Sequence, residues 1–229
     1  MISIPDVPDG SAAWLTRILQ LFEGAPPWTG AAVELAGELA LLLGLAVWFR
    51  AWLRSRTAGP RTVATALAAP VAVALTWPVS ELAKQIKQVD RPCRLLEPFP
   101  SWADCPAPGD WSFPSNHAAL AGALVVGVLL LALRLRSPVV ALFALLTGLA
   151  AAVARVLTGA HFPHDVVAGS ALGGMVALVT VSLLGSRATP LVARLRTDGR
   201  VPALVGDRPA DRVPARGTGA GRPVRGHDR

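Results

Sequence analysis

The sequence predicts an all-α integral membrane protein, with five transmembrane helices in a bundle, an interfacial amphipathic helix before them and a disordered tail after them. Three observations predict it. Of the 229 residues, 52% are apolar and only 16% charged, and the mean hydropathy is +0.48; this suits a lipid-embedded core and excludes a secreted mini-protein, a coiled coil or a disordered chain. The apolar residues fall into blocks of about 20, the length that crosses a bilayer as a helix. Arginines gather at alternate block ends, the distribution that orients a membrane protein.

Residues 1–30 form the N-terminal segment. Met1 to Gly10 carries Asp6, Asp9, Pro5 and Pro8 and no basic stretch before an apolar run, so the first span, not a cleaved signal, is expected to direct the chain to the membrane. Trp14, Leu15, Ile18, Leu19 and Phe22 share one helical face, with Thr16, Arg17 and Gln20 elsewhere, and Pro26-Pro27 ends the segment. A helix this short lies on the membrane surface. Insertion of residues 12–28 as a sixth span is the alternative, and would move the N-terminus to the other side.

Residues 31–187 form the membrane domain. The first span, 31–52, carries Glu34 and Glu38 on one face near its start, read as carboxylates exposed at the interface and outside any site. Spans follow at 62–80, with Pro70 and Pro78 as kinks, and at 114–133, 137–154 and 166–186, all without Asp, Glu, Lys or Arg. Arg50, Arg54, Arg56 and Arg61 follow the first span, Arg134 and Arg136 the third, and Arg187 the fifth. The positive-inside rule puts these clusters in the cytoplasm and the loops 81–113 and 155–165 outside it.

Residues 188–229 are read as a disordered, Arg-rich cytoplasmic tail. From Arg187 onward the chain has ten Arg against Asp198, Asp207, Asp211 and Asp228, with abundant Gly and Pro, and lacks the apolar residues of a core. Arginine supplies 20 of the 22 basic residues, a compositional bias, and no nucleic-acid-binding motif accompanies it; no nucleic-acid partner is expected. The partners expected are membrane lipids and a lipid phosphate substrate, and the sequence assigns no oligomeric state.

The two outer loops and the helix starts beside them hold Lys84, Arg91, Ser115, Asn116, His117, Arg155, His161 and Asp165. This set suits a phosphate ester, because ammonium and guanidinium groups neutralise phosphoryl oxygens while histidine attacks phosphorus or protonates a leaving oxygen. Ser115 is a favoured N-cap for the third span, and Pro163 suits the first turn of the fifth, placing Asp165 near His161. Cys93 and Cys105 share one outer loop and can form a disulfide across 11 intervening residues, whereas two cysteines are too few for a structural zinc site.

Lys84, six residues, Arg91-Pro92; then Pro114-Ser115-Asn116-His117; then Arg155, five residues, His161, three residues, Asp165: in order and spacing this resembles the three-part signature of the type 2 phosphatidic acid phosphatase superfamily, which includes the vanadium-dependent haloperoxidases. Asn116 stands where the family usually has Gly, and Ala154 where it usually has Ser. The resemblance implies a metal-independent, cofactor-free lipid phosphatase. His161 would be the nucleophile that forms a phospho-histidine, Asp165 would accept its other ring N–H, and His117 would protonate the leaving oxygen. Lys84, Arg91, Ser115, Asn116 and Arg155 would hold the phosphoryl group. A polyprenyl diphosphate is the favoured substrate, with phosphatidic acid or phosphatidylglycerol phosphate as alternatives. A phosphotransferase with an acceptor other than water, or a silent membrane scaffold, are the competing readings. His164 matches no motif position and is read as a loop histidine with a minor electrostatic effect on Asp165.

Overall fold

The computed structural model describes residue 4, residues 6–96 and residues 104–206; among them every regular element is helical. In chain order these are α1 (Asp9–Gln20), α2 (Trp28–Ser55), α3 (Pro60–Lys87), α4 (Pro92–Leu95), α5 (Asn116–Leu135), α6 (Pro138–Leu157), α7 (Pro163–Asp198) and α8 (Pro202–Val205). Five of them, α2, α3, α5, α6 and α7, are long and apolar enough to cross a membrane. The chain is therefore a multi-span membrane protein, and α1 is not one of the spans.

Local chemistry starts these helices where the sequence says they should start. Proline opens α3, α6 and α7, where its missing N–H would have no partner in any case. The Ser115 hydroxyl accepts from the Ala118 N–H and caps α5. Two ends lie beyond the hydropathy boundaries. α3 continues past Ser80 to Lys87, and α7 past Ser186 to Asp198, because hydropathy marks where a helix leaves lipid and not where its hydrogen-bonded ladder stops.

The extension of α7 corrects part of the reading of 188–229 as disordered. Val192 packs with Val63, Ala64 and Val205, and the buried Arg196 side chain donates to three carbonyls: Val205 at 2.6 Å, Ala58 at 2.6 Å and Arg56 at 2.8 Å. That latch pins α8 beneath the α2–α3 connection, and the guanidinium satisfies backbone groups that helix ends leave open. The rest of the expected tail, 207–229, lies outside the described residues.

The bundle interior is built from small side chains. Ala68, Ala69, Ala72, Ala123, Ala177 and Val181 form its centre, while Leu35, Leu42, Leu142, Leu149 and Leu178 face outward. Lipid tails are as apolar as leucine, so burial of large side chains gives little drive here, and small residues let backbones come close. Gly169 and Gly173 put α7 directly against the Ser115 and Ala119 backbone of α5. This brings the starts of α5 and α7 together, and the Ser115 N–H donates to the Asp165 carbonyl at 3.1 Å.

α1 is not simply laid on a lipid surface. Leu15 and Leu19 are buried with Val89 and Phe162, while Trp14 is 65% exposed. The helix thus uses part of its apolar face to dock on the end of the bundle where α5 and α7 begin.

Candidate active site

At that end a cavity of about 390 Å³ is lined by Lys84, Arg91, Asn116, His117, Arg155 and His161, with Glu34, Asp104, Asp110, Trp77 and Leu120 at its edges. Five elements deliver these groups: Lys84 from the last turn of α3, Arg91 from the residue before α4, His117 from the first turn of α5, Arg155 from the last turn of α6, and His161 from the turn before α7. Three cations and two imidazoles thus face one space.

His161 is 2% exposed. Arg91 Nη1 lies 3.3 Å from its Nε2 and also donates to the Ala160 carbonyl at 3.1 Å. A guanidinium has only donors, so the facing Nε2 carries the lone pair and the proton sits on Nδ1. Burial lowers the His161 pKa from its ordinary 6.5 to about 4; Arg91 and Arg155 push in the same direction, against Asp165. The ring is therefore neutral at physiological pH, with its nucleophilic nitrogen turned to the cation-lined side.

Asp165 does not meet His161 as the motif implies. Its Oδ2 lies 3.6 Å from Nδ1, beyond hydrogen-bonding distance, because that oxygen already accepts from the Phe162 N–H at 2.9 Å and from the Ser112 hydroxyl at 2.6 Å. Ser112 Oγ stands between them, 3.3 Å from Nδ1. Ser115 caps α5 as expected, but it is fully buried and, departing from its expected phosphate-holding role, does not line the cavity. Asn116 does line it, but its side chain turns to α3, accepting from Ser80 at 2.7 Å and donating to Glu81 at 3.1 Å. Cys93 and Cys105 are joined by a disulfide.

Four residues that carried no role in the sequence reading stand in or beside the site. Asp110 accepts from Arg91 Nη2 at 2.9 Å and lies 3.5 Å from Lys84 Nζ. Burial pushes its carboxyl pKa up, but Arg91 and then Lys84 outweigh this and hold it below the usual range. Glu34 and Glu38, read as outside any site, reach in from α2: Glu34 lies 3.4 Å from Arg155 and Glu38 3.1 Å from His117 Nε2. Their shared face was visible in the sequence, but the direction of that face was not. Ser112 is the fourth.

His164 is likewise no loop histidine. It sits in the first turn of α7, Nδ1 2.9 Å from Ser11 Oγ and Nε2 3.2 Å from Asp165 Oδ1, and its backbone N–H donates to the same serine. Phe113 stacks on its ring. It ties α1 to the start of α7.

The chain is 42% identical over 69 residues to a Lipid A 1-phosphatase of Rhizobium etli, a match that covers 30% of this chain and 28% of that protein. No solved structure matches significantly. The family comparison covers residues 62–188, more than half of the chain and all three motif segments, and it establishes that the protein belongs to the PAP2 superfamily.

Proposed function

We propose that the protein is a membrane lipid phosphatase that hydrolyses a lipid phosphate or diphosphate through a phospho-histidine at His161, with no metal ion. The observation that carries this is the buried neutral imidazole, its lone pair held toward a cavity that also presents Lys84, Arg91 and Arg155. In the first step Nε2 forms the N–P bond as the P–O bond to the lipid breaks, and His117 gives its proton to the leaving oxygen. In the second, water attacks phosphorus as His117 takes its proton, the N–P bond breaks and orthophosphate leaves. The three cations neutralise the phosphoryl oxygens as charge builds, the task a metal performs elsewhere.

Each of those cations is held by a carboxylate: Lys84 and Arg91 by Asp110, Arg155 by Glu34. Substrate phosphate takes over these contacts on binding. Trp77 and Leu120 give the cavity an apolar edge suited to a lipid chain, and the similarity to a Lipid A 1-phosphatase of Rhizobium etli is consistent with a lipid-linked phosphate. The Arg clusters lie at the opposite end of the bundle, which supports an active site on the extracytoplasmic face of the cytoplasmic membrane. That face suits a polyprenyl diphosphate, with phosphatidic acid and phosphatidylglycerol phosphate as the other candidates.

The test is phosphate release by the full-length protein in detergent with chelator present, from farnesyl diphosphate and phosphatidic acid, beside His161→Ala. Release that survives chelation and vanishes in the variant is expected, and the faster substrate ranks the class. Release that needs added metal, or that persists in His161→Ala, refutes the mechanism; transfer of phosphate to an acceptor other than water makes the enzyme a phosphotransferase.

A further inference from the structure

Ser112 belongs to none of the three motif segments. It is fully buried, and its N–H donates to the Val89 carbonyl at 2.7 Å, which holds it at the floor of the site. Its Oγ is 2.6 Å from Asp165 Oδ2 and 3.3 Å from His161 Nδ1, whereas carboxylate and imidazole are 3.6 Å apart.

A serine hydroxyl has one proton and an ionised carboxylate has only acceptors, so the short contact to Asp165 takes that proton. The remaining Oγ lone pairs can only accept, and the ring nitrogen facing them must carry N–H. On the far side of the ring Arg91, a donor only, requires that Nε2 be unprotonated. Two independent neighbours thus specify the same tautomer. The carboxylate is held back from the ring because Oδ2 also accepts the Phe162 N–H that starts α7, at 2.9 Å.

We propose that Ser112 is a positioning residue, its hydroxyl linking the Asp165 carboxylate to the Nδ1–H of His161, so that Asp165 orients the nucleophile through the serine. The proposal rests on His161 being the phosphoryl acceptor. No proton changes hands along the link. As Nε2 bonds to phosphorus the ring becomes cationic, Nδ1–H becomes a stronger donor, and both hydrogen bonds of the serine strengthen with it.

The experiment compares Ser112→Ala, Ser112→Thr and His161→Ala with the parent protein in detergent, on whichever of farnesyl diphosphate and phosphatidic acid is hydrolysed faster. Ser112→Ala is expected to lower kcat by about 10- to 100-fold, the usual cost of losing a hydrogen bond behind a reacting ligand, with KM within about twofold, because the serine touches no substrate. Ser112→Thr keeps the hydroxyl and is expected to recover most of kcat. If the alanine variant does not fold, Ser112→Cys, close in volume but a weak hydrogen-bonding group, carries the same expectation. ¹⁵N spectra of histidine-labelled parent protein, with His161 assigned by its loss in His161→Ala, are expected to show N–H at Nδ1. A folded Ser112→Ala with full kcat beside an inactive His161→Ala overturns the link and leaves the nucleophile standing; N–H at Nε2 overturns it too. Activity in His161→Ala removes the nucleophile itself.

Discussion

The approach of α7 to α5 on Gly173 can be tested by adding one methyl group. A Cβ at Gly173 would stand 2.7 Å from the Ala119 carbonyl carbon and closer still to its oxygen. Both are backbone atoms, so no rotamer change relieves the clash. Opening the carbon contact alone to 3.4 Å, where ordinary van der Waals contact begins, needs about 0.7 Å, and clearing the nearer oxygen parts the two helices by more than about 1 Å. Overpacking of this kind costs about 1–3 kcal/mol. The larger effect falls on catalysis, because α5 carries His117, α7 carries Asp165, and their starts are joined by the bond from Ser115 N–H to the Asp165 carbonyl. A misplacement of about 1 Å or more lowers kcat by about 100-fold or more, so Gly173→Ala is expected to retain about 1% of the parent rate or less. Phosphate release and thermal unfolding in detergent are measured beside Gly59→Ala, where a Cβ meets nothing within 4 Å. If the two variants match in rate and melting temperature, the close crossing does not position the site.

Four other outcomes are expected. His161, held near 4 by burial, keeps its nucleophilic lone pair through the ordinary histidine range, so phospho-enzyme formation is expected to fall only near pH 4; a limb centred near 6.5 refutes this. The same shift makes the unfolded chain bind more protons between about 4 and 6.5, so over that window stability rises with pH and is lost as pH falls. The Cys93–Cys105 bridge spans 12 positions, and its removal by Cys93→Ser with Cys105→Ser is expected to cost about 3 kcal/mol in the chain-entropy account; an unchanged melting temperature with and without reductant counts against that contribution. Asp110→Asn frees Lys84 and Arg91 from their carboxylate, and orthophosphate is expected to inhibit that variant several-fold more tightly, whereas an equal inhibition constant would mean that Asp110 does not compete with phosphate.

The site was legible in part. Lys84, Arg91, His117, Arg155 and His161 follow from motif spacing and do line one cavity; His117, Arg155 and His161 also sit beside helix ends that hydropathy and capping signal, whereas Lys84 and Arg91 lie beyond the hydropathy boundary of α3. Ser112, Asp110 and Glu34 were not found. Their partners lie 53, 19 and 121 positions away, and no local rule connects residues at such separations. The tie of His164 to α1 is not legible for the same reason: its hydrogen-bond partner Ser11 is 153 positions away.

By itself the sequence determined the all-helical membrane class, the number of spans, the side on which arginine collects and the identity of the cations, since these follow from transfer of side chains into lipid and from residue order along one helix. Tertiary structure decided where α3 and α7 end, that Arg196 latches the chain after the last span, that Ser115 stays out of the cavity, and that a serine stands between Asp165 and His161. Those outcomes depend on how closely Gly169 and Gly173 let two backbones approach and on which polar groups then compete for the same carboxylate oxygen. Hydropathy and spacing contain neither distance, because both describe one helix at a time.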